Sequence, residues 1–240
     1  NINGSSFELN STTDSFDRHL QGWGGAVYIY GWYGASLNLS SSSFSNNSAS
    51  KGGAIAFTSD YGYSSDSIEV NETAFNNNSA GYDGGAIFAR DAKSDAGTSI
   101  EFKTNNLSFI NNKAALGNGG AIYSKKNLLV INTLFVNNEK TLYFSSGKNH
   151  QAINSIFTES LEYDVNGLEA VVEFKNNFIN NELVFVPNFQ EKNIYANVNL
   201  GFLDTVNGNY HLTEDSDLID AGAIDVEGIV FPETDMDGNS

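Results

Sequence analysis

Phe75-Asn-Asn-Asn-Ser-Ala-Gly-Tyr-Asp-Gly-Gly-Ala-Ile-Phe-Ala89 decides how this chain is read, because it is one copy among several. Phe44-Ser-Asn-Asn-Ser-Ala49 leads to Gly52-Gly-Ala-Ile55, and Phe109-Ile-Asn-Asn-Lys-Ala114 leads to Gly119-Gly-Ala-Ile122. Gly24-Gly-Ala-Val27 precedes these copies. Phe135-Val-Asn-Asn138 and Phe178-Ile-Asn-Asn181 follow without the glycines. The copies recur at steps of about 30 residues, a period typical of solenoids.

Between the copies lie short alternating runs: Leu37-Asn-Leu39, Ile68-Glu-Val70, Ile100-Glu-Phe102 and Leu129-Val-Ile131. Alternation places one face of a strand in a core, whereas a helical repeat would show a 3.6-residue stripe. Each repeat therefore holds about three short strands separated by corners. The fold class is all-β: a right-handed parallel β-helix with a short C-terminal capping tail. The hand is the one expected of parallel crossovers. Coils would stack about 4.8 Å apart.

In that stack each motif residue has a task. The Phe packs on the Phe of the next coil. The fourth residue, Asn47, Asn78, Asn112, Asn138 and Asn181, falls at a turn, where asparagine tolerates a left-handed backbone and its amide can bond the coil above. The small residue two positions on, Ala49, Ala80 and Ala114, gives room at a tight corner. The Gly-Gly pair turns the next corner. No lysine follows these glycines in a phosphate-loop pattern.

Paired Gly-Gly-Ala-Ile and Phe-x-x-Asn motifs resemble the repeats of chlamydial polymorphic outer-membrane proteins and of related adhesin-like β-helix proteins. The resemblance runs from Trp23 to Asn138. It implies a surface-exposed adhesive passenger of the kind carried by a C-terminal membrane barrel. Only the passenger portion of such a protein is matched. The expected location is extracellular or at the cell surface.

After Asn138 the Phe step shortens to about 20 residues, near the minimum for a coil. Residues 1–186 are expected to form coils, and 187–240 a final coil and a wrapping tail. Gly208-Asn-Tyr-His-Leu212 and Ile219-Asp-Ala-Gly222 resemble the closing segment of bacterial surface β-helices. The tail would cover the open end, whose edge could otherwise pair with another chain.

The chain is 240 residues long, with a net charge of −17 and no cysteine. Disulfides are excluded, and nucleic acid is an unsuitable partner because its binders cluster Lys and Arg. No apolar run is long enough for a membrane span. Divalent cations suit such a surface. Asp235, Asp237 and Asn239 alternate oxygen side chains like the start of a Ca²⁺ loop, although the distal Glu is missing. An Asx-rich turn accounts for the same residues.

The segments after Gly-Gly-Ala-Ile vary most, and insertions at one phase of a repeat protrude on one side. They carry Tyr28, Tyr30, Trp32, Tyr33, Tyr61 and Tyr63, with Asp60, Asp66, Arg90, Asp91, Lys93 and Asp95 beside them. Exposed aromatic rings among charged groups suit a glycan or a surface protein. The same rings could simply order the loops by packing on one another.

Catalysis is the competing reading. A Ca²⁺-dependent lyase needs a Lys or Arg base, and Arg90 with Asp91, Lys93 and Asp95 is the one mixed cluster. A hydrolase needs opposed carboxylates, and the galacturonase-type signatures are absent. His19, His150 and His211 have no triad or metal spacing and read as surface or turn residues. A third reading is a self-assembling surface-layer or fibre protein, associating end to end through exposed coil edges.

Overall fold

The structure, a computed structural model, describes residues 1–13, 22–31, 35–59, 66–91, 101–144, 149–158, 162–163, 171–180, 189–195, 198–227 and 229–231. Among these residues the regular structure is all strand. The chain is a parallel β-helix, with successive coils paired in register. No helix of the described residues is long and apolar enough to cross a membrane.

The largest sheet stacks Ile2–Asn3, Ser36–Ser40, Ser67–Asn76, Glu101–Ile110, Asn127–Val136, Asn149–Ile153, Val171–Lys175 and Phe189–Glu191 in that order. The three ten-residue strands bend round a corner and continue into a second wall. That wall also holds Ser6–Glu8, Ser43–Ser45, Ile156–Phe157, Phe178–Ile179 and Ile194–Tyr195. A short wall pairs Ser48–Ala49, Ser79–Ala80 and Lys113–Ala114. The Gly-Gly-Ala-Ile wall stacks Val27–Gly31, Ile55–Ser59, Ile87–Asp91, Ile122–Ser124, Leu142–Phe144 and Glu162–Tyr163.

The expected Phe column is present. Phe7, Phe44, Phe75, Phe109, Phe135 and Phe157 stack with ring centroids 4.6, 5.1, 4.8, 5.2 and 4.8 Å apart. Their spacing follows that of the strands that carry them. Phe178 does not continue the column. It pairs with Ile156, and Ile179 takes the place above Phe157. The last Phe-x-x-Asn copy is thus one residue out of phase, and Asn181 lies outside the described residues.

Asn47, Asn78, Asn112 and Asn138 form the expected ladder, extended by Asn10 at the first coil. Each Oδ1 accepts both the backbone N–H and the Nδ2–H of the asparagine in the coil before. At Asn47, Asn78 and Asn112 the second amide hydrogen goes back to a Phe carbonyl. The left-handed residue at this corner is the one before the ladder: Asn46, Asn77, Asn111 and Asn137 have φ of 56, 56, 56 and 53°. Turn conformation and coil-to-coil bonding are therefore divided between two neighbouring residues.

A second ladder occupies the other corner. Ser155 N–H donates to Asn177 Oδ1, and Asn177 N–H and Nδ2 donate to Asn193 Oδ1. Ser42 and Ser155 stand in for asparagine where Ser5 and Thr133 donate to their hydroxyls. Successive ladder residues are separated by 31, 34 and 26 positions in the first ladder and by 22 and 16 in the second. The later coils are the shorter ones.

The two glycines of each pair answer different constraints. Gly52, Gly84 and Gly119 have φ of 64, 68 and 68°. A Cβ on Gly85 would lie 2.0 Å from Gly120 O in the next coil. The first glycine serves the turn, and the second serves the close approach of coils.

The tail contains an antiparallel pair, Phe202–Asp204 with Asn209–Leu212. Beyond it, Ala223 N–H donates to Asn154 Oδ1 at 2.7 Å and Asn154 Nδ2 donates to Ala223 O at 2.8 Å. Asn176 Nδ2 reaches Ala221 O at 3.5 Å. Among the described residues, these bonds tie the tail to a lateral corner of the coils.

Candidate binding face

On the Gly-Gly-Ala-Ile wall alternate side chains face outward. Register places Tyr28, Ala56, Phe88, Tyr123 and Tyr143 in one column. Phe88, Tyr123 and Tyr143 stack at 5.0 and 4.4 Å, outside the main core. Ala56 interrupts the column. Its small side chain leaves a slot, and Trp23 fills it: the indole lies 5.8 Å from the Tyr28 ring and 6.1 Å from Phe88. Gly24 N–H donates to Lys51 O at 2.9 Å and fixes the chain just after Trp23.

The next outward column is Tyr30, Thr58 and Arg90. Tyr28 and Tyr30 remain 47% and 46% exposed. The Tyr28 hydroxyl pairs with Thr58 Oγ1 at 3.1 Å, which fixes the ring across two coils. The Arg90 Cζ stands 5.4 Å from the Trp23 ring centroid. Its Nε is buried and has no hydrogen-bond partner. Lys51 sits beside this row, 5.1 Å over Phe88, and is paired with Asp83 at 3.0 Å.

Tyr28, Tyr30 and Arg90 thus share one outer face, on the strands Val27–Gly31 and Ile87–Asp91 rather than on the inserted segments that follow them. Asp66 is not part of that surface. It is only 2% exposed, and its Oδ1 accepts the Ala35 N–H at 2.5 Å, so it holds a corner. Trp32, Tyr33, Asp60, Tyr61, Tyr63, Lys93 and Asp95 lie outside the described residues, as does the side chain of Asp91. Asp235, Asp237 and Asn239 do too. Among the described residues no group of three His, Cys, Asp or Glu could hold a metal.

His150 departs from its reading as a surface or turn residue. It is buried in the core column between Leu128 and Val172, tilted against Phe144 at 4.9 Å. An imidazole fits there because its ring packs like an aromatic one. Trp23 was legible only as the start of the period. Its place in the slot depends on Ala56, a pairing visible only once the coils are in register.

The Chlamydia polymorphic membrane protein repeat matches residues 41–58, 72–90 and 106–125. Each match spans one Phe-x-x-Asn corner and the Gly-Gly-Ala-Ile segment that follows it. The chain resembles this repeat, and the proteins that define it are exposed at the outer membrane surface. No curated protein and no solved structure matches the chain.

Proposed function

We propose that the chain is a noncatalytic, adhesin-like surface module that binds a glycan or a surface protein through the outer face of its Gly-Gly-Ala-Ile wall. The observation that carries this reading is the coincidence of two features. The matched repeats include the coils of Ala56, Phe88 and Arg90, and the outward row on those coils is aromatic and cationic. A repeat scaffold supplies rigidity, and a partner meets rings already fixed in place.

Beads coated with the protein test this directly. Retention on a glycan array or a surface-protein array, reduced by Tyr28→Ala with Tyr30→Ala, is the expected result. Beads that fail to adhere would overturn it. Catalysis is checked with uronate polysaccharides and Ca²⁺ by absorbance of unsaturated products. Turnover abolished by Arg90→Ala would replace the adhesive reading with a lyase.

A further inference from the structure

We infer that Arg90 and Lys125, backed by Trp23 and flanked by Tyr28 and Tyr30, form a subsite for a carboxylated sugar, a uronic acid residue of an acidic glycan. This deepens the proposed function and rests on it. The argument begins with charge. The chain carries 12 Lys and Arg against 29 Asp and Glu. Its cations are therefore expected to be neutralised, and several are. Lys51 pairs with Asp83, Lys103 with Glu101, Lys113 with Glu139 and Lys175 with Glu173. Arg90 and Lys125 have no ion pair among the described residues, yet they are neighbours. Lys125 N–H donates to Ala89 O at 2.9 Å, which sets the exposed lysine one coil from Arg90.

Two cations side by side in register, with no counter-ion among the described residues, repel one another, so an anion placed between them is favoured twice over. The orphaned Arg90 Nε–H agrees with this, since a buried donor without an acceptor marks a place where a partner is missing. The indole of Trp23 lies against the guanidinium. That contact holds the planar fork in place before a ligand arrives, so less ordering is needed on binding.

The aromatic side supplies the sugar. Tyr30 stands in the same outward column as Arg90, two coils away, with Thr58 between them. The separation is about 10 Å, two strand spacings, which one or two pyranose rings can span. Thr58 is buried and anchors Tyr28. Tyrosine faces accept the apolar face of a pyranose, while a carboxylate accepts charge-assisted hydrogen bonds from guanidinium and ammonium groups. A neutral glycan would leave the cations unpaired, and a purely anionic ligand would leave the rings unused.

The experiment is isothermal titration of the whole chain with a glucuronate-containing hexasaccharide, its carboxyl-reduced form and a sulfated neutral hexasaccharide. The glucuronate form is expected to bind, and the carboxyl-reduced form to bind about tenfold more weakly, the order of one lost charge-assisted contact; the sulfated form keeps an anionic acceptor and serves to distinguish carboxylate from sulfate. Arg90→Gln and Tyr30→Ala each weaken the glucuronate form about tenfold, and Phe189→Ala does not. Arg90→Lys tests the fork itself, and unfolding curves verify that each variant is folded. Equal binding of the reduced form overturns the inference, as does tighter binding of the sulfated form than of the glucuronate form or undiminished binding by folded Arg90→Gln. Bead adhesion is measured in parallel. Adhesion without glucuronate binding overturns this inference and leaves the proposed function standing, whereas failed adhesion overturns the proposed function itself.

Discussion

The side-chain amide of Asn78 donates to Asn112 Oδ1 in the next coil at 3.0 Å and back to Phe44 O in the coil before at 3.0 Å. Its own Oδ1 accepts twice from Asn47. One buried residue thus satisfies polar groups in three coils. Asn78→Ala would leave two Asn47 donors buried and unpaired and would remove the second bond to the Phe44 carbonyl. The expected cost is about 3–5 kcal/mol, because orphaned groups keep their desolvation penalty. Asn10→Ala, at the half-buried start of the ladder, is expected to cost less than about 1 kcal/mol. Urea midpoints at an unchanged slope check the contrast, and equal losses would show that the ladder is not the source of stability.

Gly85→Ala should be among the most damaging conservative changes in the chain. The added Cβ would meet Gly120 O at 2.0 Å, and both partners are backbone. Neither can rotate away, so the coils must separate. A loss of about 4 kcal/mol or more is expected. Gly81→Ala, whose Cβ would find its nearest neighbour at 3.8 Å, should be nearly neutral. Thermal unfolding of the pair distinguishes a constraint on coil spacing from a general preference for glycine.

These columns were legible because stacking identical coils demands identical chemistry at each level. Phe, Asn and Gly-Gly each solve a problem that has few other solutions. The second ladder was hidden for the opposite reason. Ser42, Ser155, Asn177 and Asn193 all accept a backbone N–H from the coil before, so different residue types serve one bond and no repeat appears in the letters. Phe178-Ile-Asn-Asn181 misled because it copies the motif while the pairing is one residue out of phase. The outward aromatic row was visible at Tyr28 and Tyr30 but not at Phe88, where short strands do not reveal which side chain faces in.

Filling the slot beside Trp23 should displace it. Ala56→Tyr would complete the column between Tyr28 and Phe88 and occupy the space that the indole now fills. In a Trp32→Phe background the remaining indole fluorescence should shift to the red as Trp23 enters water. The core strands are expected to be unaffected, because residue 56 points outward. An unshifted spectrum would show that Trp23 does not depend on that gap.

In the tail, hydrogen bonds from Asn207 hold the Asp204 carboxyl below the usual carboxylate range. A lowered value in the folded state means the ionised form is the one the turn favours. Its contribution is therefore complete above the ordinary carboxylate value and fades as pH falls through the lowered one. Asp204 is exposed, so the effect on global stability is small. A titration followed by nuclear magnetic resonance should show the Asn207 amide shifting with Asp204, and Asp204→Asn should abolish that shift.

Asn154 joins the tail to the coils through both ends of its amide, and this clasp should open before the coils do. Ile153 and Phe178 face outward by register and are excluded from the core cluster, yet they are only 2% and 3% exposed. A wall with such residues needs a cover, and Ala221–Ala223 is bonded at Asn154 and Asn176 beside it. Asn154→Ala removes both bonds to Ala223, at a cost of about 1–2 kcal/mol. Faster hydrogen exchange at Ala223 is expected, with earlier proteolysis between Leu218 and Glu227 and unchanged protection of Val130 and Phe135. Binding of a hydrophobic dye should rise as Ile153 is uncovered. If exchange at Val130 rises in step with Ala223, the tail and coils open as one unit and the clasp is not a separate element.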